Sequence, residues 1–167
     1  MAIRDVLLDP DPRLRARSSD VTAFDATLVR LVDDLLETMY AGSAIGLSAP
    51  QVGVPQRVVV FDASPSRGQP EIYVNPEVLA VDRVAWVEES CLSVPGVVAT
   101  IKRPIQARVR ARDVRGVPFE RELGEMRAVC LLHEVDHLDG RLFTDHLPGW
   151  RRLMLRLRGR RPAVRVA

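Results

Sequence analysis

The sequence predicts an α+β domain with an N-terminal helix and a short C-terminal helix. Three observations carry that expectation. Apolar residues recur at helical spacing early in the chain, the middle is rich in β-branched and alternating segments, and helical spacing returns near residue 130. Helix, several strands, helix is the order of an α+β fold, not the regular alternation of an α/β one.

The first helix is expected over Ala26 to Tyr40, where Leu28, Leu31, Val32, Leu35, Leu36 and Met39 share one face. The small residues Ala41 to Gly46 break it. Arg57 to Phe61 reads as a buried strand, and Ile72 to Pro76 and Val78 to Val87 as two more. Val109 and Ala111 alternate with Arg108, Arg110 and Arg112, as in a half-exposed strand over Ala107 to Val114. Gly116-Val117-Pro118 turns the chain into Phe119 to Leu123. Glu125 to Leu138 is the strongest helix, with Gly140 placed to cap its end. A last helix is expected over Gly149 to Arg158, docking through Leu153 and Leu157, and the residues beyond it are expected to fray.

The 167 residues suffice for one domain with its own core. The boundary expected is a single domain over 1–148 followed by a basic helix and tail over 149–167. No apolar run approaches the roughly 20 residues of a membrane span, and the start Met1-Ala2-Ile3-Arg4-Asp5 does not resemble a signal peptide. The expected compartment is the cytoplasm. Two cysteines, Cys91 and Cys130, do not make a disulfide framework; in a reducing compartment they read as one core residue and one candidate ligand or nucleophile. Net charge is only +2, yet no acidic residue follows Asp145 and seven arginines fall between Arg151 and Arg165.

His133-Glu134-Val135-Asp136-His137 carries the chemistry. Histidines four apart on a helix point their imidazoles to one side, one turn apart, as a shared ion requires. Glu134 can reach a water on that ion without ligating it. The plain alternative is a helix with two hydrogen-bonded histidines and a surface glutamate. A catalytic ion needs about three protein ligands and an open position. The extended zinc-peptidase pattern would put a third His at position 143, which is Phe143. His146 is out of register, and no glutamate follows His137. An upstream ligand is left, with Cys91 the better candidate and Cys130 the weaker. Met126, Val129 and Cys130 precede His133 on its own face and can line an apolar substrate pocket, or can be plain core. Gly46 suits close approach of a peptide backbone.

Three segments together are similar to peptide deformylases of bacterial type. Ala44-Ile45-Gly46-Leu47-Ser48-Ala49-Pro50-Gln51 resembles the family motif Gly-x-Gly-x-Ala-Ala-Pro-Gln. Glu89-Ser90-Cys91-Leu92-Ser93 resembles Glu-Gly-Cys-Leu-Ser, and His-Glu-x-x-His is complete. Order and separation match, and the resemblance runs from Ile3 to about Leu147. It implies antiparallel strands packed around a central helix that carries the two histidines. It implies hydrolysis of the N-formyl group from the formyl-methionine of new polypeptides, with formate released. Carried over, the metal ligands are Cys91, His133 and His137. One divalent ion is implied, Fe2+ first, with Zn2+, Ni2+ or Co2+ able to replace it. Glu134 is then general base and acid, and the Gln51 side-chain amide and the Leu92 backbone N–H serve the oxyanion. Ile45 and Val87 complete the pocket by the same resemblance. A different metal-dependent amidase or peptidase, or a low-activity relative of the same fold, is the alternative.

The chain departs from the family motifs at Ala44, Ser48 and Ser90. The first two are small and expected to be tolerated. Ser90 stands where the family has glycine beside the ligand, so a positive φ there would strain it. The implied partners are formyl-methionyl nascent peptides. The basic stretch from Trp150 to Arg161 is read either as a solvated terminal helix or as a handle for ribosomal RNA, with a membrane surface as a third reading. A monomer is expected.

Overall fold

The computed structural model describes residues 2–158, with side chains through Leu155. Helix α1 spans Ala26–Ala41 and begins at Asp25, whose carboxylate accepts from the backbone N–H groups of Thr27 and Leu28 at 2.8 and 3.2 Å. Its apolar face, Leu28, Leu31, Val32, Leu35 and Met39, is buried as the spacing predicts.

Five strands follow as one antiparallel sheet in the order β1-β2-β3-β4-β5. They are β1 (Gly46–Ser48), β2 (Val58–Phe61), β3 (Glu71–Cys91), β4 (Val94–Arg112) and β5 (Pro118–Gly124). The two strands expected over 72–76 and 78–87 are one 21-residue strand. Pro76 sits at a register shift between Val74 and Glu77, where its missing N–H leaves no ladder bond unmade. Strand β4 begins at Val94, well before the expected Ala107, and ends at Arg112. Pro95, Gly96 and Pro104 hide its strand character in the sequence, and pairing with β3 overrides them. The β4–β5 turn forms as expected: Asp113 accepts from the N–H groups of Arg115 and Val117, and Gly116 takes a φ of 83°.

Helix α2 spans Glu125–Leu138 and carries His133 to His137. Ala128, Cys130, Leu131 and Leu138 pack against Val59, Phe61, Tyr73, Ala107, Val109, Ala111 and Leu123 of the sheet. Gly140 closes the helix with a φ of 73°, and a side chain there would run into the Arg15 carbonyl. A second cluster joins α1 to β1 and β2, and a third gathers Val94, Ile101, Leu142, Phe143 and Leu147.

Helix α3 spans Gly149–Arg158. It docks through Leu155, which packs on the third cluster. Leu153, expected as the docking residue, is 58% exposed, because the helix turns the position two residues later inward. The Leu157 side chain and the fraying expected beyond Arg158 lie outside the described residues. Among the described residues no helix is long and apolar enough to cross a membrane.

Candidate metal centre

The C-terminal half of α2 presents His133 and His137 on one face, with ring centroids 5.1 Å apart. Both are buried. Cys91 is the last residue of β3, ahead of the two-residue turn Leu92-Ser93. Its Sγ lies 3.2 Å from His137 Nε2. One ligand atom from each of Cys91, His133 and His137 falls within 4.8 Å of the others, a spread that one ion can bridge. Cys130 is not in this group. It is buried in the sheet–helix core, and that burial pushes its thiol up to about 12, so it stays protonated. Both cysteines are free.

Behind His133 stands a chain of charges, buried at Glu89 and Arg103 and reaching the surface at His146, that sequence reasoning missed. His133 Nδ1 lies 2.7 Å from Glu89 Oε2. Arg103 Nε donates to Glu89 Oε1 at 2.7 Å, and its NH1 donates to Asp136 Oδ2 at 2.6 Å. Asp136 Oδ2 also meets His146 Nε2 at 2.7 Å. Holding one imidazole nitrogen this way turns the other toward the cluster and raises its basicity. His146, out of register as a ligand, thus belongs to the support. Ser90 lies in extended backbone paired with Val98, its side chain exposed, and is not among the positive-φ residues. The strain considered for it does not arise.

Glu134 is 3% exposed and sits against Gly46, where a Cβ would lie 2.6 Å from its Oε1. The glycine therefore makes room for the glutamate. Burial pushes the Glu134 carboxyl up to about 7, against the opposing pull of His133 and the Ser48 hydroxyl. Its Oε2 has no hydrogen-bond partner. Burial would lower His133, but its bonds to Cys91 and Glu89 win and hold it well above the ordinary value. Burial and then the charge of His133 drive His137 well below. The pocket thus favours a positive charge beside Cys91 and Glu89 and a neutral imidazole at 137. A divalent ion supplies the first and needs the second, so the residues fit a metal.

Gln51 enters from the 3-10 turn Ala49–Val52. Its Oε1 accepts from Ser48, and its Nε2 lies 3.2 Å from Ser93 Oγ and 3.5 Å from Cys91 Sγ. The sequence held a local signal for this arrangement: Ser48-Ala49-Pro50-Gln51 has the Ser-x-x-Gln spacing of a capping box. Of the residues expected to line an apolar pocket, Val129 and Cys130 are buried, Val87 is half-buried, and Ile45 and Met126 are 40% and 48% exposed.

The family model described as polypeptide deformylase matches residues 3–152. A peptide deformylase of Alkalilimnicola ehrlichii is 48% identical over 93% of this chain and 88% of its own length. One of Cellvibrio japonicus is 45% identical over 93% of each. The crystal structure of a peptide deformylase from Legionella pneumophila superposes with a TM-score of 0.88 at 40% identity, covering 96% of this chain and all of that one. That from Thermotoga maritima gives 0.85 at 36% identity, over 89% and 99%.

Proposed function

Since the chain belongs to the polypeptide deformylase family, we propose that Cys91, His133 and His137 hold its divalent ion and that Glu134, Gln51 and Leu92 carry the chemistry. The reaction is hydrolytic removal of the N-formyl group from newly made polypeptides, with formate as the other product. The chain is accordingly a metal-dependent hydrolase.

The observation that carries the residue assignment is the convergence of the three ligand atoms beside a buried Glu134. When bound, the ion supplies Lewis acidity and lowers the pKa of a coordinated water toward neutrality. A thiolate with two imidazoles suits Fe2+, Ni2+, Co2+ or Zn2+, and the likeness to the family makes Fe2+ our assignment. Glu134, at about 7, accepts a proton near neutral pH and returns it to the departing amine nitrogen. Gln51 Nε2 carries two protons; one faces Ser93 and the other the Cys91 side. That second N–H and the backbone N–H of Leu92 are the donors for the oxygen that gains charge at the formyl carbon. Met126, Val129 and Cys130, with Ile45 and Val87, line the methionine pocket, and Gly46 lets the peptide backbone come close.

The protein works in the cytoplasm as a monomer, with one catalytic domain over 1–148 and a basic extension over 149–167. The exposed Trp150, Arg151 and Leu153 support a ribosomal RNA contact for that extension. Co-sedimentation with ribosomes tests it: binding should weaken steeply with salt and vanish on truncation after Gly149.

Formate release from a formyl-methionyl peptide, assayed anaerobically to keep Fe2+ reduced, tests the catalytic reading. Turnover should require the formyl group and scale with bound metal. Cleavage of internal bonds in unformylated peptides at comparable rate would overturn it.

A further inference from the structure

Ser48 replaces an alanine of the family motif, and its hydroxyl is not idle. The residue is fully buried, as are Ser93 and, at 1% exposure, Gln51. Both donors of Ser48 end on one atom: its backbone N–H and its Oγ each lie 2.9 Å from Gln51 Oε1. A carbonyl oxygen has two lone pairs, so this one is saturated. The nitrogen of the same amide is thereby turned to Ser93 Oγ at 3.2 Å and Cys91 Sγ at 3.5 Å.

An amide oxygen and nitrogen are nearly the same size, so packing alone does not choose between the two orientations of Gln51. Hydrogen bonds choose. Flipped, the amide would set its N–H groups against the Ser48 backbone N–H, donor against donor, and would point its oxygen at the cysteine sulfur. With alanine at 48 one donor remains and a buried lone pair of Oε1 goes unused, which weakens the preference.

We propose that Ser48 is a positioning residue: its hydroxyl, with its backbone N–H, fixes the Gln51 amide so that Nε2 faces the metal centre. The inference rests on the reading of Gln51 as an oxyanion donor. Ser48 touches Gln51, and acts through it. The same hydroxyl also draws the Glu134 carboxyl down, and a double-mutant cycle separates that contact from the one to Gln51. A neutral hydrogen bond that sharpens a donor's aim is worth about 3- to 10-fold in rate.

The test is a double-mutant cycle on the full-length, metal-loaded chain with Ser48→Ala, Gln51→Ala and both together. Metal content and melting temperature are measured for each. Gln51→Ala should lower kcat/KM by about 100- to 1,000-fold. Ser48→Ala should lower kcat by about 3- to 10-fold, leave KM within about twofold, and add nothing in the Gln51→Ala background. In the Zn2+-loaded protein, the Gln51 side-chain amide resonances should shift and broaden on Ser48→Ala. Losses that multiply in the double variant would show that the hydroxyl acts elsewhere, on Glu134, and would overturn the proposal while leaving Gln51 its role. Unchanged Gln51 resonances with unchanged kcat would overturn it too. A nearly active Gln51→Ala would instead overturn the reading of Gln51 itself.

Discussion

Arg103 and Arg127 both grip a glutamate with two nitrogens, Arg103 on Glu89 and Arg127 on Glu71, and both closest contacts are 2.7 Å. Their surroundings differ. The Arg103 and Glu89 side chains are 4% and 5% exposed, behind the proposed metal ligands, whereas those of Arg127 and Glu71 are 44% and 16% exposed at the rim of the sheet. Glu89 also holds His133, and Arg103 also holds Asp136. Glu71 is shared instead by Arg121 and Tyr73. The same two-nitrogen grip therefore serves two ends. In the interior, each charge left alone would be expensive, so the chain fixes the orientation of His133. At the rim, water and salt screen each charge, and the pair only trims the surface.

Arg103→Met should have the largest effect. It leaves Glu89 and Asp136 with only their histidine partners and should cost about 3–5 kcal/mol of stability, read by denaturant unfolding. Metal affinity should fall by about 10- to 100-fold in the same variant, read by competitive chelation. Glu89→Gln keeps the shape and an acceptor for His133. It should weaken metal binding by about tenfold. Arg127→Ala should cost under about 1 kcal/mol, and that cost should shrink at about 1 M salt. A larger effect at Arg127 than at Arg103 would invert the account.

The acid limb of stability gives the smallest signal. Burial would raise Glu89, but its bonds to His133 and Arg103 hold it below 4.5. Burial would likewise raise Glu71, but Arg127 and Tyr73 hold it below 4.5. A carboxyl depressed in the folded state gives stability that is present above its unfolded pKa of about 4.5 and lost as pH falls through the lower folded value. Below about pH 4.5, Arg127→Ala should therefore flatten a part of the limb that salt also flattens, and Arg103→Met a part that salt leaves alone. Acid titrations of melting temperature at two ionic strengths would measure this.

What the sequence disclosed follows the range of the interactions. His133, Glu134 and His137 were legible because helical spacing places them together without reference to the rest of the chain. Cys91 needed the exclusion of Phe143 and of a downstream glutamate, and then the likeness to a family. The support behind His133 was not legible: Arg103 is 14 residues from Glu89 and 33 from Asp136, and only the β3–β4 pairing and the seating of α2 unite them. The full length of that hairpin was hidden by Pro76, Pro95 and Pro104: Pro76 falls at a bulge, Pro95 is exposed beside another, and Pro104 is half-buried in regular register with Val84. The Ser48–Gln51 contact was local and carried the capping-box spacing, so it could have been found. Leu153 was taken for a docking residue because heptad-like spacing does not say which of Leu153 and Leu155 faces a cluster assembled from β4 and the segment after α2.

The central claim is that three side chains hold the ion while Glu134 moves the proton. Glu134→Gln, purified anaerobically and assayed for metal content and formate release together, tests it most directly. The variant should hold about one ion per chain, as the unmodified protein should, and its kcat should fall by about 100- to 10,000-fold. Turnover within about threefold of the unmodified enzyme, or loss of the ion along with activity, would contradict it.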